Sequence, residues 1–191
     1  GRIISTGATH DLARVMLEDT ANILRGSMSG RKFNLPTMYS ESVINTALKM
    51  WESVEYHEEF TLDGDIKVLF KDAGHILGSA MAEIVYNGSK IVFTGDLGNS
   101  PSPLLRDTEE INDAKYLVME SVYGDRTHEE VHERTELLKG YIEETIRTKG
   151  TLIIPAFSLE RTQGMLLEIN NLIESKQIAP IKTFLDSPLA I

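Results

Sequence analysis

Apolar positions along the chain change period twice, and the changes mark its elements. Over residues 9–24, THDLARVMLEDTANIL, Leu12, Val15, Met16 and Ile23 recur at helical spacing, with Thr9 or Asp11 placed to cap the start. Residues 25–39 are rich in Gly, Ser and Arg and read as a loop. A second helix is predicted over Glu41–Ser53, with Val43, Leu48, Met50 and Trp51 as its buried side. From Glu58 to Gly95 the period falls to that of paired strands, punctuated by Asp63-Gly64 and Asn87-Gly88 turns. A third strand follows at 114–121, then a charged amphipathic helix over 128–148 that Gly150 stops. Strand GTLIIPAF, helix SLERTQGMLLEINNLIES and strand IKTFLDSP complete the chain as a β-α-β run of the parallel kind. The strand-rich part gives way to the alternating part near 122–127, and no repeat, low-complexity tract or flexible linker interrupts either.

Composition narrows what such a chain does. With 41% hydrophobic and 25% charged residues in 191, it can bury a core, and no apolar run approaches the roughly 18 residues of a membrane span. The first 25 residues show none of the features of a secretory leader, so a cytoplasmic home is expected. There is no cysteine, so any metal must be held by His, Asp and Glu. A net charge of −10 argues against unaided binding to a phosphate backbone; a polyanionic substrate would need bound cations or a locally basic groove.

His128-Glu129-Glu130-Val131-His132 satisfies the H-E-x-x-H pattern of zinc peptidases, but its neighbours Arg126, Thr127, Glu133, Arg134 and Glu136 are solvated types at a helix start. The apolar stripe of that helix comes later, at Leu137, Leu138, Tyr141, Ile142 and Ile146. The motif therefore reads as a surface helix terminus, and a zinc peptidase is the weakest candidate function. His10 and His57 read as a helix-start and a surface residue.

Three other polar residues each follow an apolar strand and sit beside glycine-bearing loops. They are His75 in KDAGHILGSA, Asp96 in VFTGDLGNS and Glu120 in YLVMESVYGDR. Two readings stand side by side. The three converge on the rim of one sheet, where metal ligands and acid/base groups are placed, or they are separate turn residues.

The ordered series DAGHILGSA, FTGDLG, ESVYGDR, IIPAFSLERTQ and LDSPLAI resembles the metallo-β-lactamase-fold nucleases of the β-CASP group, the RNA-processing branch that includes the cleavage and polyadenylation endonuclease and RNase J. The resemblance runs over almost the whole chain, and five motifs in one order are far more specific than any one alone. It implies an α/β fold: part of a metallo-β-lactamase αββα sandwich over 1–126, followed over 127–191 by the start of a β-CASP domain with parallel strands. It implies that His75 is a metal ligand and that Asp96 is both a ligand bridging two zinc ions and a catalytic residue. Glu120 would be a catalytic-site acid that positions a histidine general acid, and Ser158, Arg161 and Ser187 would contact substrate. Two zinc ions would polarise the scissile phosphate of an RNA substrate and supply the positive charge that the composition lacks. The partners implied are RNA and either a second copy or an RNA-processing complex.

Departures from the family pattern matter. The upstream H-x-H-x-D-H ligands have no counterpart, since no two of the five histidines are separated by one residue. The resemblance thus makes the chain an internal fragment, expected to be inactive alone and to bind zinc weakly or not at all. Val122 stands where Thr is usual, and Glu160 where Gly is usual, which bears on the loop before Arg161. The rival readings are a DNA-repair nuclease of the same superfamily and a non-catalytic scaffold subunit of a processing complex. Retention of His75, Asp96 and Glu120 weighs against the scaffold, and Glu rather than Asp at 120, with YGDR following, weighs toward RNA.

Overall fold

The alternation between Glu58 and Gly95 forms the centre of a five-stranded sheet in the computed structural model, which describes residues 1–28, 39–127 and 131–190. Its strands are β3 (Phe60–Thr61), β4 (Lys67–Asp72), β5 (Ala80–Tyr86), β6 (Ser89–Phe93) and β7 (Tyr116–Val118), side by side in that order. The first three pairings are antiparallel, and β6 to β7 is parallel, with Ile91 opposite Tyr116 and Phe93 opposite Val118. The hairpin between β5 and β6 turns at Asn87 and Gly88, both at positive φ (47° and 71°), as the sequence predicts for a two-residue turn. A second, two-stranded parallel sheet joins β1 (Ile3–Ser5) to β2 (Trp51–Ser53), with α1 (Gly7–Met28) and α2 (Glu41–Lys49) between them in sequence. These elements make up one compact unit, Gly1–Glu120; a second unit spans Ser121–Ile191.

Several sequence expectations need correction in the first unit. Helix α1 is capped by Thr6, whose hydroxyl accepts the Thr9 N–H at 3.3 Å, and not by Thr9 or Asp11. Its predicted stripe is largely uncovered: Val15, Met16 and Ile23 are exposed and Leu12 is half-buried, whereas Ala21 is buried. Within this unit α1 packs on α2 and β2, so only a narrow strip of its surface is covered. Residues 25–28 continue the helix, and 29–38 lie outside the described residues. The second helix stops at Lys49, because Trp51–Ser53 is drawn into the ladder with β1; its buried residue is Ile44, and Val43 and Met50 are exposed.

In the second unit α3 (Val131–Thr148) and α4 (Arg161–Glu174) bury Ile142, Ile169, Leu172 and Ile178 together, and Thr135 donates to Glu168 across them at 2.6 Å. Of the stripe predicted for α3, Ile142 is buried and Leu138 packs against it, whereas Leu137, Tyr141 and Ile146 are exposed. Gly150 is not the left-handed residue that ends α3. Lys149 takes φ 54°, while Lys149 N–H and Gly150 N–H donate to Ile146 and Thr145 in a Schellman arrangement. The β-α-β run is present only as its helix. Residues 150–157 and 181–187 form no ladder among the described residues, and Ile153, Phe157 and Phe184 are more than four-fifths exposed. A parallel strand exists only where a neighbour accepts its hydrogen bonds, and these two segments do not supply each other with one. The mixed α/β class holds, with its parallel pairings in the first unit. No described helix is long and apolar enough to cross a membrane.

One buried charge organises the large sheet. Glu83, in the middle of β5, is 6% exposed and lies between Lys90 at 2.8 Å and Lys71 at 3.6 Å. The two ammonium groups also donate to the carbonyls of Asn112 and Glu110, so the connection leading into β7 is tied to this face. Removing one partner of a buried ion pair leaves the other charges desolvated. Glu83→Ala is therefore expected to cost about 3 kcal/mol in urea unfolding; a loss below about 1 kcal/mol, the range of surface pairs, would contradict this account.

Candidate functional site

Residues 73–79 connect β4 to β5 and wind around one hydroxyl. The Ser79 Oγ accepts the N–H groups of His75 and Ile76 at 3.0 and 3.2 Å, and Asp72 Oδ1 accepts that of Gly74 at 2.8 Å. Gly74 and Gly78 stand at φ 63° and 87°, a region that side-chain-bearing residues enter at a cost, so the glycines flanking His75 are what allow the tight path. The loop after β6 is built differently. Thr94 continues the parallel pairing by donating its N–H to Val118 O at 3.0 Å, and its hydroxyl meets both Gly95 O and the Glu120 N–H. Glu120 then accepts the Leu97 N–H on its carboxylate.

The two loops meet backbone to backbone. Gly98 N–H donates to Ala73 O at 2.8 Å, and a Cβ on Gly98 would stand 1.8 Å from the Gly74 carbonyl oxygen, so no side chain fits. This contact brings His75 Nε2 to 3.8 Å from Asp96 Oδ2. That is too long for a hydrogen bond, so the two groups stand side by side without bonding each other. His75 is about one-third exposed and Asp96 about three-quarters, which leaves both accessible from solvent. Of the three strand-end residues, the structure brings His75 and Asp96 together directly and joins Glu120 to them through Leu97.

An imidazole nitrogen and a carboxylate oxygen are the donors that zinc takes in a cysteine-free protein. Two bonds of about 2.1 Å at a tetrahedral angle put such donors about 3.4 Å apart, close to the spacing here. The pair fits two corners of a site, and among the described residues no third His, Asp or Glu joins it. His57, expected at the surface, is half exposed and bonds Glu109 at 2.7 Å, and Glu109 also accepts the Asp72 N–H at 3.2 Å. His10 lies in the first turns of α1 with its ring 5.5 Å from that of Trp51. His128 lies outside the described residues, as does the side chain of His132, so the H-E-x-x-H stretch has no structural reading.

Ser158, Arg161 and Ser187 belong to the second unit. Ser158 precedes α4, Arg161 is its exposed first residue, and Ser187 opens the 3₁₀ turn Pro188–Ala190. Sequence reading missed Gln163, whose amide reaches Ser158 O at 3.0 Å and Ala190 O at 3.4 Å and so ties the Ser158 loop to the turn after Ser187. Its place as a polar residue on the first turn of a helix, inside the stretch PAFSLERTQ, was the available signal.

An RNase J-like protein of Methanocaldococcus jannaschii is 34% identical over 191 residues, which cover 98% of this chain and 42% of that protein. Ribonuclease TTHA0252 of Thermus thermophilus is 30% identical over 190 residues, covering all of this chain and 41% of that one. The chain belongs to the β-CASP metallo-β-lactamase family. Endoribonuclease YSH1 of Yarrowia lipolytica is 32% identical over 177 residues, 92% of this β-CASP chain and 21% of the yeast protein. The chain thus spans less than half the length of the curated relatives it matches. No family model matches it.

Glu160, which stands where the family pattern has glycine, takes φ 62° and ψ −50°. Arg161 N–H donates to Leu159 O at 2.7 Å, closing a γ-turn of the strained hand on Glu160. A glycine enters that region freely. Glu160→Gly is expected to raise stability by about 1 kcal/mol in urea unfolding; an equal or lower stability would mean that contacts of the Glu160 side chain outweigh the backbone strain.

Proposed function

We propose that this chain is part of a zinc-dependent ribonuclease that hydrolyses RNA phosphodiester bonds by a two-metal mechanism. The observation that carries the reading is the His75–Asp96 pair, held 3.8 Å apart by loops that touch through glycine, in a chain 34% identical to an RNase J-like protein. His75 would hold metal through its imidazole and Asp96 through its carboxylate. When bound, zinc supplies Lewis acidity toward the phosphate and lowers the pKa of water. The chain's own residues do the rest. Glu120 fixes the Leu97 amide, which keeps Asp96 aimed at His75. Gln163 holds the Ser158 loop and the turn after Ser187, and Ser158, Arg161 and Ser187 supply hydroxyl and guanidinium contacts for substrate phosphate. A protein of charge −10 gains its attraction for RNA from the cations at the site. A place within an RNA-processing assembly is supported by relatives such as the cleavage and polyadenylation specificity factor subunit 3-I of Arabidopsis thaliana, 29% identical over 192 residues. His75 and Asp96 supply two of the three or four protein ligands that such a site needs, so the 191 residues alone would not cleave RNA.

The test is cleavage of single-stranded RNA and of single-stranded DNA by the longer protein that contains this chain. It is run beside His75→Ala, Asp96→Ala and Glu120→Ala. RNA cleavage with zinc bound, and a fall of at least about a thousandfold in Asp96→Ala, is the expected result. Preference for DNA would favour the repair-nuclease reading, and zinc-free protein without cleavage the scaffold reading.

A further inference from the structure

The loop that carries His75 is wound on glycines, and its outward carbonyls are held from three directions by hydroxyls that no motif marks. Thr6 and Thr9, at the start of α1, both reach Gly78 O, at 2.7 and 2.8 Å. Tyr56, ahead of β3, donates to Ser79 O at 2.8 Å. Thr108, on the connection between β6 and β7, donates to Ala73 O at 3.0 Å and reaches Gly98 O at 3.4 Å. Thr6 is buried, and Gly78 is packed so closely on Thr9 that a Cβ there would lie 2.6 Å from the Thr9 amide nitrogen.

We propose that Thr6, Thr9, Tyr56 and Thr108 form a hydroxyl collar that positions the imidazole of His75. This rests on the reading of His75 as a metal ligand. Two glycines at positive φ leave residues 74–78 free to take other paths, whereas a ligand must be held to about 0.5 Å to bind well. Ser79 Oγ and Asp72 take the amides of Gly74, His75 and Ile76, and the four hydroxyls bond carbonyls at the two ends of the loop, Ala73 on one side and Gly78 and Ser79 on the other. Hydroxyls suit the task because they are neutral: they fix the carbonyls without placing a charge beside the imidazole. Burial, followed by the nearby Asp72 and Glu109, pushes the Tyr56 phenol up to about 12, so it stays a donor across the physiological range. Thr108 touches both loops and so also sets how the Asp96 loop lies on the His75 loop.

Amide hydrogen exchange and zinc titration of the longer protein that contains this chain test the collar. They are run on the wild type, Thr6→Val/Thr9→Val, Thr108→Val, Tyr56→Phe and the rescue variant Thr6→Ser/Thr9→Ser. The valine pair is expected to speed exchange at His75 and Ile76 roughly tenfold, with the β4–β5 ladder unchanged. Zinc affinity should fall about tenfold alongside, and the serine pair should restore both. Unchanged exchange in the loop overturns the proposal, as does faster exchange throughout the sheet or a serine pair that behaves like valine. If the wild type binds no zinc while loop exchange responds as expected, the metal reading fails and the positioning of His75 stands.

Discussion

Gly98 lies on Gly74 with no room for a side chain between them, and the geometry of the candidate site depends on that contact. Each loop alone could take many paths. Once Gly98 N–H is bonded to Ala73 O, the chain on either side has its direction fixed, and two residues distant in sequence become neighbours. Close backbone approach is a use of glycine distinct from tolerance of positive φ, and this site uses both: Gly74, Gly78 and Gly95 make the turns, and Gly98 makes the approach.

The sheet supplies the frame on which that contact is repeated. Strands β4 and β6 flank β5, so the segment after β4 and the segment after β6 leave the sheet at the same edge. The parallel pairing of β7 with β6 brings Glu120 to that edge as well, where its carboxylate meets the Leu97 amide. Lys71, Glu83 and Lys90 act from the strands themselves: the two lysines tie the connection containing Thr108 and Glu109 to the sheet, and those two residues bond the end of β4 and the His75 loop.

The hairpin at Asn87-Gly88 and the strand-end placement of His75, Asp96 and Glu120 were legible because turn chemistry and alternation are local signals. The family itself was legible from the order of five short motifs. The end of α2 was not, since whether Trp51–Ser53 is helix or strand is decided by β1, some 48 residues away in sequence. Nor were the two strands of the second unit, whose apolar pattern states a capacity to pair and not the presence of a partner. The burial of α1 failed for a related reason: periodicity identifies a stripe, while the neighbours within the unit decide how much of it is covered. Thr6, Thr9, Tyr56 and Thr108 carry no motif, because a hydroxyl bonded to a carbonyl depends on position in space and not on spacing along the chain.

The central claim is that His75 and Asp96, and not the H-E-x-x-H stretch, form the metal-binding face of this chain. Titrating zinc into the isotope-labelled longer protein that contains this chain, while following the histidine ring and backbone resonances, tests it most directly. The account predicts shifts at the His75 imidazole and at the Asp96 and Leu97 amides, with His128 and His132 unmoved. Shifts at His128 and His132 with His75 unchanged would contradict it.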